Sequence, residues 1–192
     1  MENQAKVLIE ESVESISRLK GVVPEIKAAA RLLVATLRAG GKVLICGNGG
    51  SAADAQHFAA ELVGRFRKER NALAAIALST DSSVVTSLAN DYSFSQIFAR
   101  QVEALGKPGD ILVAISTSGN SPNVMEASRR AREMGIKTMG LLGNAGGQLF
   151  KDCDLAVVVP SRDTARIQEG HGVVIHILCR LVEDELFPGD EK

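Results

Sequence analysis

His57 and Glu61, four residues apart, are the first side chains in this sequence whose types and spacing could do chemistry. On a helix such a pair shares one face, with Cβ atoms about 5–6 Å apart, so it could hold a metal ion or pass a proton. Alone, H-x-x-x-E is a weak signal that usually marks a solvated polar pair. Here it follows Gly47, Asn48, Gly49, Gly50 and Ser51, a tight turn between the apolar run Val43, Leu44, Ile45, Cys46 and a helix expected to open at Ser51. Glycines let the backbone approach a ligand closely, and a helix start leaves N–H groups free for an anion. A phosphate suits that turn.

A second loop has the same character. Ser116, Thr117, Ser118, Gly119, Asn120 and Ser121 hold four hydroxyls between an apolar run and Pro122, which suits the first position of a helix. Hydroxyls and free helix N–H groups make a phosphate cradle that needs no Lys or Arg. Ser121 alone could be an ordinary N-cap, but four hydroxyls exceed that need. Neither loop is a nucleotide-binding P-loop or G-x-G-x-x-G turn, so ATP hydrolysis is not expected. Besides His57 the chain has two histidines, His171 and His176, which share the last helix with Gln168. Gln168 and His176 are eight apart, about 12 Å along a helix axis, so a metal between them would need both side chains outstretched. By spacing alone, His176 in its apolar surroundings reads as a satisfied core residue.

The elements that must position these residues follow from hydrophobic periodicity. Residues 3–20 and a stretch beginning near Pro24 and ending at Gly40 and Gly41 read as amphipathic helices with apolar surface to spare, suited to packing against another subunit. After Val43–Cys46, strands are expected at 73–78, 110–115, 137–142 and 155–159. Helices are expected after the first turn, before Asn90 and Asp91, over 93–105, from Pro122 to Met134, and from about Thr164 to Leu186. Unbroken apolar strands alternating with helices predict an α/β fold: a doubly wound parallel sheet of about five strands, flanked by helices. In such sheets ligands bind at the carboxyl ends of strands, where both polar loops lie. One domain over 1–192 is expected, with 1–40 as a helical pair and 41–192 as the α/β core.

At 192 residues, 45% hydrophobic and with a net charge of −1, the chain can bury a full core and carries no basic bias toward nucleic acid or anionic membranes. No apolar run is long enough to span a bilayer and the acidic start is unlike a signal peptide, so the cytoplasm is the expected compartment. Cys46, Cys153 and Cys179 read as reduced core thiols.

Taken together, GNGGSAADAQHFAAELVGRF, the AND of residues 89–91, the STSGNS loop and RIQEGHGVVIH resemble the phosphoheptose isomerases, enzymes of the sugar isomerase (SIS) domain family. The resemblance covers essentially the whole chain. It implies a homotetramer that converts sedoheptulose 7-phosphate to D-glycero-D-manno-heptose 7-phosphate, the first step toward the heptose of bacterial surface polysaccharides such as lipopolysaccharide. It implies one zinc per subunit on His57, Glu61, Gln168 and His176. The substrate contacts it implies are Asn48, Gly49, Gly50, Asn90, Asp91, Ser116, Thr117, Ser118, Ser121 and Gln168, with Ser51 added from its place in the turn. Moving a carbonyl between neighbouring carbons requires a base, an acid and oxyanion stabilisation, for which Glu61 as base and His176 as acid are the expected pair. The competing reading is a non-catalytic sugar-phosphate-binding SIS protein of the type that associates with the replication initiator. It has no need of the four metal-type residues together. A kinase or nucleotidyltransferase would need a Mg-carboxylate and Lys set that is missing.

Overall fold

The computed structural model describes residues 1–189. Eight helices and five strands run in the order α1 (Glu2–Ser17), α2 (Val23–Arg38), β1 (Val43–Cys46), α3 (Gly50–Val63), β2 (Ala75–Ala77), α4 (Ser82–Asp91), α5 (Ala99–Leu105), β3 (Ile111–Ser116), α6 (Pro122–Glu133), β4 (Lys137–Leu142), α7 (Leu149–Asp152), β5 (Leu155–Val158) and α8 (Thr164–Leu186). All five strands are parallel, in the spatial order β2-β1-β3-β4-β5. The chain winds one way from β1 to β2 and the other way from β3 to β5, so the loops after β1 and β3 diverge side by side. That switch point is where ligands bind in doubly wound sheets, and both polar loops lie there.

Strand alternation divides the interior into two cores. Val43, Ile45, Ile111, Val113, Ile115, Met139, Leu141 and Val157 face α2, α3 and α8. Leu44, Cys46, Leu112, Ala114 and Leu142 face Ile97, Phe98 and Val102 around α5, the α6 residues Val124, Ala127 and Ala131, and Leu149. Strands buried on both faces read as continuous apolar runs, which is why β1 and β3 lie where the sequence places them, to within a residue.

Several expectations are corrected. The helix after β1 opens at Gly50, one residue early. The strand expected over 73–78 is shorter because the Leu73 N–H bonds to the Leu62 carbonyl at the end of α3. The helix expected over 93–105 is broken into a 3₁₀ turn at Phe94–Gln96 and α5. Ile97 and Phe98 turn inward between them, and the Gln101 amide donates to the Leu78 and Ile97 carbonyls at 2.8 Å each. The first helix ends at Ser17 and tightens into a 3₁₀ turn over Arg18–Val22. Of the N-terminal pair, α2 turns most of its apolar face inward: Ile26, Ala29, Ala30 and Leu33 are buried in this subunit's own core. Most of the open apolar surface of the pair is on α1, where Val7, Leu8, Ile9 and Val13 are about half exposed or more; on α2 the large exposed apolar side chain is Val23, at its first residue. α1 is tied to α8 by Ser12 Oγ donating to Glu169 and by Arg166 donating to the Leu8 carbonyl.

All three cysteines are free; Cys46 and Cys179 are buried and Cys153 is half-buried. Burial pushes the Cys179 thiol up to about 12 and that of Cys46 further, so both stay neutral.

His171 is fully buried on α8, with Nε2 3.0 Å from the Leu142 carbonyl at the end of β4. A carbonyl can only accept, so Nε2 carries the proton and Nδ1 is a buried acceptor without a partner. Burial lowers its pKa from 6.5 to about 4. Between those values the unfolded chain binds the proton and the folded chain does not. The stabilisation from a neutral His171 is therefore complete above pH 6.5 and lost as pH falls toward 4. Wild type is expected to lose about 3 kcal/mol over that window relative to His171→Gln, measured by denaturant midpoints of both proteins across pH. Asp54, whose carboxyl burial raises to about 6, has the opposite pH dependence, but it is present in both proteins and cancels.

Candidate active site

The first loop is built by geometry that only glycine meets. Gly49 has φ +55°, and a Cβ on Gly47 would lie 2.7 Å from the Ser51 carbonyl oxygen. The turn closes on Ser51 N to Asn48 O at 2.9 Å and Ala52 N to Gly49 O at 3.0 Å. Among the described residues, the N–H groups of Gly49 and Gly50 have no partner within the chain, as an anion site at a helix start requires. Ser51 is buried beneath the turn.

In the second loop, Ser121 precedes α6 but its hydroxyl does not cap the helix. It lies 3.0 Å from Ser116 Oγ, which also accepts from the Gly119 N–H at 3.1 Å. Ser118 Oγ accepts from the Asn120 N–H at 3.1 Å and lies 3.5 Å from Ser116 Oγ. Ser116, Ser118 and Ser121 thus form one hydroxyl cluster, with Thr117 half-buried beside it.

Two supports for these loops were missed in the sequence. Asn48 and Asn123 exchange side-chain amide bonds at 2.8 and 2.7 Å, joining the two diverging loops across the switch point. The only sequence signal was an Asn directly after the helix-starting Pro122. The loop after β4 backs the Ser/Thr loop: Asn144 Nδ2 donates to the Thr117 carbonyl, Gln148 N to Asn120 Oδ1, and Leu149 N to the Gly119 carbonyl. Its run of Asn144 with φ +54°, Gly146 and Gly147 was the signal for a turn pressed against another backbone.

α3 follows β1 and α8 follows β5, so both start at the carboxyl ends of the parallel strands, and they pack side by side. Gln168, near the start of α8, lays its amide against the Cα of Gly50, where a Cβ would overlap it. Two to three turns further along, the ligand-type atoms of His57, Glu61 and His176 all come within 4.8 Å of one another. His57 Nε2 lies 2.9 Å from His176 Nε2 and 3.3 Å from Glu61 Oε1. His176 is exposed and faces His57, so the core histidine of this helix is His171. Two imidazole nitrogens at 2.9 Å can share one proton or one cation. Zn–N bonds of about 2.0–2.1 Å put tetrahedral ligands about 3.3 Å apart, so the spacings fit a metal, and a two-imidazole, one-carboxylate set suits a divalent transition ion. The site stands between solvent and core: the His57 side chain is 50% exposed and that of Glu61 25%.

Asp54, one turn before His57, has a carboxylate oxygen buried without a partner, and its pKa is raised by burial and partly lowered again by the nearby imidazole. Asn90 and Asp91 are exposed at the end of α4 and bond to each other at 2.8 Å, with no side-chain bond to either loop.

The SIS domain model matches residues 9–143. The phosphoheptose isomerase of Pelobacter propionicus is 63% identical over 158 residues, 82% of this chain and 84% of its own. The chain belongs to the SIS domain family, among its phosphoheptose isomerases. The phosphoheptose isomerase of Geobacter sp. strain M21 matches at 54% identity over 97% of this chain and 98% of its own. The solved phosphoheptose isomerase structure from Neisseria gonorrhoeae superposes with a TM-score of 0.91 at 43% identity, covering 95% of this chain and 98% of that one. Membership makes this chain an isomerase, against the non-catalytic alternative. No helix among the described residues is long and apolar enough to cross a membrane.

Proposed function

We propose that this isomerase interconverts sedoheptulose 7-phosphate and D-glycero-D-manno-heptose 7-phosphate through an enediol, as the first step of activated-heptose biosynthesis. The observation that carries the reading is the convergence of His57, Glu61 and His176 within 4.8 Å, on α3, which starts at a switch point with two loops suited to phosphate, and on α8 packed beside it.

In this reading the phosphate rests on the free N–H groups of the first loop and the hydroxyls of Ser116, Thr117, Ser118 and Ser121. Asn48, Ser51 and Gln168 line the first loop, and Asn90 and Asp91 contact the sugar. Glu61 removes the proton from the carbon beside the carbonyl and returns it to the neighbouring carbon. His176 moves the hydroxyl proton between the two oxygens, so the carbonyl changes place with no net gain or loss of atoms. A divalent cation held by His57, Glu61, Gln168 and His176, zinc in this reading, would polarise the carbonyl and diol oxygens. Glu61 has two carboxylate oxygens; the one beside His57 suits the cation and leaves the other for the proton. The enzyme is a cytoplasmic homotetramer with one zinc per subunit, and the apolar face of α1 supports subunit contact.

The test is turnover of sedoheptulose 7-phosphate by wild type and His176→Ala, with and without chelator and added Zn²⁺. Chelation is expected to stop turnover, zinc to restore it in wild type, and His176→Ala to remain about 10²-fold or more below wild type. Sugar-phosphate binding without turnover under any metal would overturn the reading.

A further inference from the structure

Arg70 and Glu183 form the most deeply buried ion pair among the described residues, with side chains 2% and 1% exposed and Arg70 Nε 3.0 Å from Glu183 Oε1. The proposed chemistry uses neither. Burying such a pair is costly unless each remaining donor and acceptor is matched, and their other partners belong to backbone next to the candidate centre. α3 ends two residues after Glu61, leaving its last carbonyls without helical donors. Arg70 supplies them: Nη2 donates to the Glu61 carbonyl at 2.8 Å, and Nη1 to the carbonyls of Leu62 at 2.8 Å, Asn71 at 3.0 Å and Gly64 at 3.3 Å. Glu183 fixes the segment that follows, accepting from the N–H groups of Phe66 at 3.1 Å, Arg67 at 2.8 Å and Lys68 at 3.0 Å. Phe66 in turn lays its ring 5.6 Å from that of His176. Glu183 lies seven residues after His176 on α8, two turns along nearly the same helix face.

The pair thus grips the backbone of Glu61, the segment carrying Phe66, and α8 beyond His176. We propose that Arg70 and Glu183 are positioning residues, which fix α3 against α8 so that His57, Glu61 and His176 meet. A planar guanidinium with five donors can bridge a carboxylate and four carbonyls at once, whereas a lysine ammonium has three donors at one point. The metal arm of this inference rests on the metal-assisted reading above.

Arg70→Lys is the decisive variant, because it keeps the charge opposite Glu183 while losing the fork onto α3. Well below its unfolding midpoint, the folded protein is expected to bind Zn²⁺, in competition with a chelator, about 10–100-fold more weakly than wild type. At saturating Zn²⁺ its kcat should stay at least tenfold down while KM for the sugar phosphate moves less than threefold, since both loops lie beyond its reach. Lys42→Met, at the other inward ion pair with Asp110, controls for lost stability and should leave zinc affinity unchanged. If Arg70→Lys does not fold, Glu183→Gln carries the same test, its carboxamide keeping one acceptor in place. Wild-type zinc affinity and kcat in the folded variant, or an equal loss in Lys42→Met, would overturn the inference. Should wild type bind no zinc, the metal reading fails by itself, and positioning is then judged on kcat per folded molecule.

Discussion

Glu61→Gln is expected to lower turnover by about 10²–10⁴-fold, the range one positioned general base supplies, while the sugar phosphate still binds. The substitution keeps side-chain length and shape and removes the anion that takes the proton. The backbone of Glu61 is held by Arg70 through its carbonyl, so the exchange should leave α3 in place. Gly49, Gly50 and the Ser116, Ser118 and Ser121 hydroxyls are untouched, and they hold the phosphate in the proposed reading. Loss of a carboxylate beside two imidazoles also weakens metal binding, so kcat is to be measured at saturating Zn²⁺ with binding followed separately by calorimetry. A kcat within tenfold of wild type would take the base role from Glu61. A lost binding signal would instead show that Glu61 holds the substrate more than it reacts with it.

The sequence was readable wherever one physical requirement dominates a stretch. β1 and β3 are buried on both faces, so Val43–Cys46 and Ile111–Ile115 have little choice but continuous apolar runs, and β4 is buried from Thr138 to Leu142. The two polar loops were legible because glycine and hydroxyl clusters serve few purposes between a strand and a helix. What stayed hidden depends on distances that spacing does not contain. His176 looked like a core residue from its apolar neighbours, yet the rotation of α8 turns His171 inward and His176 toward His57. Asn123, Arg70 and Glu183 sit far in sequence from what they hold, by 75 residues for Asn48 with Asn123 and by 113 for Arg70 with Glu183. Single charged residues in an amphipathic pattern look alike whether they face water or a buried partner. The meeting of Gln168 with Gly50 is of the same kind: a parallel pairing of α3 and α8 that neither helix announces alone.

Gly119→Ala is expected to cost about 2–5 kcal/mol of stability and to raise KM for the sugar phosphate more than tenfold. Gly119 has φ +67°, where a side chain is disfavoured by about 1–2 kcal/mol. A Cβ there would also overlap the Gly146 carbonyl and come within 2.8 Å of the Gly147 nitrogen. Both obstacles are backbone, which no rotamer change can relieve, so the loop after β4 must retreat at a further cost typical of overpacking. The movement goes straight to the hydroxyls, because the Gly119 N–H bonds to Ser116 Oγ and its carbonyl to Leu149 N. Gly109→Ala separates the two contributions: its φ is +96° and nothing lies within 4 Å of the added carbon. It should show only the backbone cost and an unchanged KM. Thermal unfolding and steady-state kinetics on both variants make the comparison. If Gly119→Ala shows the same KM as Gly109→Ala, the hydroxyl loop does not hold the phosphate, and the first loop at the start of α3 must bind it alone.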